Sequence, residues 1–153
     1  SCFEGIQEQH KRGVPNYSMH LSLSNNNTEN TEFKDFYTCL EALQNTFTKD
    51  VMSAYVFQPF IRKPNTHVNT PDTHTDPYMD VKLGYYNGKW MMCDVIQLTN
   101  KGYMRHEETD DLTQYVKGHV KVQLIIECSC LWFMYNTCGA HWTVRKMEYK
   151  KMS

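Results

Sequence analysis

Between Val120 and Met134 the residues at every second position are apolar. Val120, Val122, Leu124, Ile126, Cys128, Cys130, Trp132 and Met134 share one face of an extended chain. Lys121, Gln123, Glu127 and Ser129 fall on the other face, among Ile125, Leu131 and Phe133. The alternation predicts one long β-strand that carries two thiols into the core. The opposite face is too apolar for a solvated sheet, so a second layer or a partner must cover it.

A second strand is predicted from Val14 to Ser24, where Met19, Leu21 and Leu23 alternate with polar residues. The polar residues 1–13 read as an N-terminal arm. Phe33, Phe36, Tyr37, Leu40, Leu43, Phe47 and Val51 recur at steps of three and four, the signature of an amphipathic helix. Asn30 or Thr31 suits its N-cap. Val56 to Ile61 is apolar enough for a short strand. Residues 62–78 hold Pro64, Pro71 and Pro77 and no apolar period, which predicts a long polar loop. Asn87-Gly88 between two apolar runs is a strong hairpin signal, since both residues tolerate positive φ. It joins predicted strands at 79–86 and 89–98. Thr109 to Gly118 carries the punctuation of a short helix, and His141 to Lys150 reads as a last strand. The basic run Arg145–Lys151 fits an edge strand protected by lysine.

One strand, one long helix and then a strand meander place the chain in the α+β class. One long helix would pack on a four- to five-stranded antiparallel sheet, with a short helical insertion. A length of 153 residues fits a single domain, 1–153. The net charge of −1 argues against a general nucleic-acid partner, and no apolar run is long enough to span a membrane.

Chemistry enters through cysteine and histidine. Six cysteines, Cys2, Cys39, Cys93, Cys128, Cys130 and Cys138, are an even number and suit disulfides. Cys128 and Cys130 are too close on one strand to bond each other, so each would seek a partner elsewhere. Zinc needs two ligand pairs at short spacing, and only one such pair exists. Asn16 and Asn26 open glycosylation triplets. Together these features point to a secreted or extracellular protein; buried free thiols in a cytoplasmic one are the alternative. His67, His74 and Asp76 in the long loop could ligate a divalent metal, although Asp and His also cap turns in such segments. His106-Glu107-Glu108 opens like a metalloprotease helix, but position 110 is Asp110 and the motif fails.

Ten Tyr, seven Phe and three Trp supply rigid contact anchors. Tyr86, Trp90, Phe133, Tyr135 and Trp142 are the candidate binding residues. With no catalytic fingerprint and no cofactor motif, the expected function is a non-catalytic binding domain. It would engage a protein or a small apolar ligand through sheet aromatics. A His/Asp-based or metal-dependent hydrolase and a structural subunit of a larger assembly are the alternatives.

Overall fold

The computed structural model describes residues 5–23, 31–51, 55–62 and 77–152. In chain order its elements are β1 (Gln7–Lys11), β2 (Val14–Ser22), α1 (Thr31–Val51), β3 (Val56–Phe57), β4 (Tyr78–Leu83), β5 (Tyr85–Tyr86), β6 (Lys89–Trp90), β7 (Cys93–Thr99), β8 (Gly102–Arg105), α2 (Leu112–Tyr115), β9 (Val120–Met134) and β10 (Thr137–Lys151). The protein is mostly β, with 58% strands and 18% helix. This corrects the expected α+β class.

The sheet is mixed rather than antiparallel. Eight strands share it, in the order β1-β2-β4-β10-β7-β8, with β3 and β9 also paired to β10. β10 runs parallel to β3, β4 and β7, while β1–β2 and β7–β8 are antiparallel hairpins. The segment expected to be a lysine-protected edge is therefore the middle of the sheet. Its Met147 and Val144 are 0% exposed and its Tyr149 is 1% exposed. Only Lys150 and Lys151, at its end, are solvated.

Contacts divide the chain into two units. The first holds the residues up to Leu21, Asp80–Ser129 and those from His141. Within the segment read as an N-terminal arm, Gln7–Lys11 form β1 and pair with β2. Arg12 and Gly13 both have positive φ, 52° and 78°, which closes a tight turn between β1 and β2. Gly5, also at positive φ, lies so close to Val116 that a Cβ would fall 2.3 Å from its carbonyl oxygen. There Ile6 N–H donates to that oxygen at 2.8 Å. The Asn87-Gly88 turn forms as expected, with φ of 57° and 78°. Its arms, β5 and β6, are short and make a separate two-stranded sheet. The chain leaves the predicted strands at Gly84 and Met91, which are joined by a 2.8 Å hydrogen bond from Met91 N–H. β4 and β7 are thus freed to pair with β10. Asp111 caps α2, its carboxylate accepting from Thr113 N–H at 3.2 Å.

The second unit holds Ser22–Met79 and Cys130–Ala140. Here α1 docks by a narrow stripe, not the broad one expected. Leu40 is buried, and Gln44 Oε1 accepts from Ile61 N–H at 2.9 Å. The Phe47 ring lies 5.9 Å from Phe57 and 6.3 Å from Phe60. Phe36 and Leu43 remain exposed. β3 joins the base of the β9–β10 turn, pairing Val56 with Thr137 and Phe57 with Cys138.

Candidate functional site

The β9–β10 turn consists of Tyr135 and Asn136 and belongs to the second unit. Tyr135 sits at φ 55°, a conformation that costs a bulky L-residue about 1 kcal/mol. Its side chain is 95% exposed. Leu131, Phe133 and Met134 on β9 are exposed, and so is Val56 on β3. These side chains make an apolar tip rather than isolated surface residues. The tip is braced from beneath. Val56 N–H donates to the Asn136 carbonyl at 2.7 Å, and Gln58 N–H donates to that of Cys138 at 2.7 Å. The Phe133 ring meets Tyr55 edge to face at 5.1 Å. Trp132 lies across Gly139 so closely that a Cβ there would fall 2.6 Å from the indole. A strained backbone that presents an uncovered aromatic on a stiff support is a feature that contact sites use.

A polar network in the first unit was missed from the sequence. His106 has a side chain only 1% exposed. Its Nε2 lies 2.6 Å from the Tyr149 hydroxyl, and its Nδ1 lies 3.3 Å from Asp110 Oδ2. Asp110 also accepts from Glu107 N–H at 2.9 Å. The carboxylate holds the ring proton on Nδ1, which leaves Nε2 to accept from Tyr149. The Tyr149 oxygen is also 3.3 Å from Gln97 Oε1. Burial, with Tyr115 and Asp110 beside it, pushes the Tyr149 hydroxyl up to about 12. Both ring nitrogens are engaged, and the ring is covered by Tyr115 at 4.6 Å and Tyr149 at 5.7 Å. The network fastens the segment after β8 to β7 and β10, and the only sequence signal for it was His106 and Asp110 four residues apart.

The five candidate binding residues differ in exposure. Tyr86 is exposed on β5, while Phe133 and Tyr135 belong to the apolar tip. Trp90 is 3% exposed, packed on Tyr17 and Tyr85 at 4.9 and 4.7 Å, and its indole N–H donates to the Asp110 carbonyl at 2.7 Å. Trp142 is 8% exposed on β10. These two tryptophans are core residues. An open cleft of about 510 Å³ in the second unit is lined by Gln44, Gln58, Pro59, Ile61, Arg62 and Tyr78. It is shallow and encloses nothing.

The disulfide expectation is overturned. None of Cys39, Cys93, Cys128, Cys130 and Cys138 is in a disulfide, and Cys2 lies outside the described residues. Nor does β9 carry its two sulfurs into the core: Cys128 is half-buried and Cys130 exposed. Among the described residues the strand has a neighbour on one side only, and its apolar stripe is half-buried. The support that disulfides gave to an extracellular placement is gone. His67, His74 and Asp76 lie outside the described residues, as do Asn26 and most of the long loop. Asn16 is exposed on β2. Among the described residues no three His, Cys, Asp or Glu side chains converge as metal ligands, and no helix is long and apolar enough to cross a membrane. No protein-family model matches the chain, and neither does any curated protein.

Proposed function

We propose that this protein is a non-catalytic binding domain that engages a protein partner through the apolar tip of the β9–β10 hairpin. The observation that carries this reading is Tyr135, held at φ 55° with 95% of its surface in water, beside Met134 at 63% and Phe133 at 56%. Apolar side chains clustered at such exposure are costly to leave in water, and aromatic and Met side chains are the ones that interfaces favour. The bracing by Tyr55, Val56 and the Trp132–Gly139 contact supports the same reading. A rigid tip loses little freedom when it docks.

The test is a photo-crosslinking residue placed at Tyr135, with the same residue at the exposed Tyr103 of β8 as control. A discrete adduct with one protein from position 135, absent from position 103, is the expected result. Equal adducts from both positions, or none from 135, would defeat the reading.

A further inference from the structure

We infer that the outer edge of β9, over Lys121–Glu127, pairs with the same edge of a second copy to make one continuous sheet. Among the described residues β9 pairs with β10 alone, so its other edge presents unpaired backbone groups. The other edges in the first unit are guarded. β1 has five residues and reads Gln-Glu-Gln-His before its last position, and β8 has four. β9 is fifteen residues long and contains neither Pro nor Gly. Its stripe tells the same story. Val122, Leu124 and Ile126 are only half-buried, whereas Val144 and Met147 of the neighbouring β10 are fully enclosed. Each member of the stripe keeps one uncovered flank, which an added strand would cover.

The residue order selects the occupant. In an antiparallel pair centred on Leu124, Lys121 stands opposite the second copy's Glu127, and Glu127 opposite its Lys121. Val122 then faces Ile126, Leu124 faces Leu124, and Gln123 faces Ile125, the last being 59% exposed in one copy. Opposite charges meet at 121/127 and apolar residues meet at 122/126 and 124/124 in this two-fold arrangement, while Gln123 lies against Ile125. Parallel pairing in register would set Lys121 on Lys121 and Glu127 on Glu127. Sliding the antiparallel pair by two residues either way parts the opposite charges. Glu127 already takes a bond from Arg145 Nε at 3.0 Å, which leaves its second oxygen for the incoming lysine. All these residues belong to the first unit, so the pairing does not depend on the apolar tip.

Light scattering during size-exclusion chromatography tests the pairing on the full chain. The expected species has twice the 18.1 kDa chain mass. Lys121→Glu and Glu127→Lys should each weaken association at least about tenfold on its own, because each sets like charges opposite each other twice per dimer. Mixed in equal amounts, the two variants should associate again, since every pair across the heterodimer is then opposite in charge. Misfolded chains could not do this, and circular dichroism of each variant checks the fold. Leu124→Lys, at the two-fold, should be monomeric. Independently of any variant, hydrogen exchange on the unmodified protein should show outward amides of 121–127 becoming protected as concentration rises. The inference is overturned by a wild-type chain that stays monomeric at about 1 mM. It is equally overturned by a dimer that Lys121→Glu and Leu124→Lys leave intact, or by folded charge variants that do not associate when mixed.

Discussion

Tyr149 and Tyr135 belong to the same hairpin and share a side chain, yet they are used in opposite ways. Tyr149 is 1% exposed, and its hydroxyl is bonded to His106. Tyr135 is 95% exposed on strained backbone. The first side chain is worth what it buries and bonds inside the fold. The second contributes little to folding, and its conformation costs energy. Under the proposed function, stability and contact are carried by different stretches of one hairpin, and substitutions should separate them.

The largest contrast should come from two methionines. Met147, 0% exposed on β10, should cost roughly 2–5 kcal/mol when replaced by Ala. Met134, 63% exposed, should cost no more than about 0.5 kcal/mol. Urea midpoints for the two variants measure both, and equal losses would break the comparison. His106→Ala should come next, at about 1–3 kcal/mol, because it removes the closer of two partners of a buried tyrosine hydroxyl. Alkali gives a smaller and graded effect. The Tyr149 hydroxyl holds its proton more tightly in the fold than in the unfolded chain, where it titrates near 10. Its stabilising contribution is thus complete below about pH 10 and is lost as pH rises from there to about 12. Melting temperatures should fall across that window, less steeply in Tyr149→Phe. The smallest effect has the opposite sign. Tyr135→Asn, with a residue that accepts positive φ, should leave stability unchanged or raise it by up to about 1 kcal/mol. The same change should abolish the specific contacts of the tip; retained binding by this variant would show that the aromatic is not the contact.

Much of the local structure was legible. β9 occupies Val120–Met134, the stretch marked by its alternation, and α1 and the Asn87-Gly88 turn lie where their patterns placed them. Neighbours were not legible. A period of two assigns the faces of a strand but says nothing about which strand lies beside it or in which direction. The segment from His141 to Lys150 was therefore read as a strand, but neither its buried residues nor its three parallel partners were recognised. The same gap hid the half-covered stripe of β9, and with it the exposure of Cys130. The β1–β2 turn was missed because Arg12-Gly13 lacks the usual first residue of such turns, and β1 is too polar to announce a strand. The tip was half legible: Phe133 and Tyr135 stood out as aromatics on the wrong face, but the strained turn and Val56 needed coordinates. The His106–Tyr149 bond joins residues far apart in the chain, and no local pattern records it.

The central place of β10 also bears on how the chain acquires its structure during synthesis. β3, β4 and β7 all leave the ribosome before the strand that unites them. Until β10 emerges, the hairpins on either side have no common neighbour, and their inward edges stay open to wrong pairings or to chaperones. A stall or truncation before Thr137 would release a set of separate hairpins rather than a smaller version of the fold.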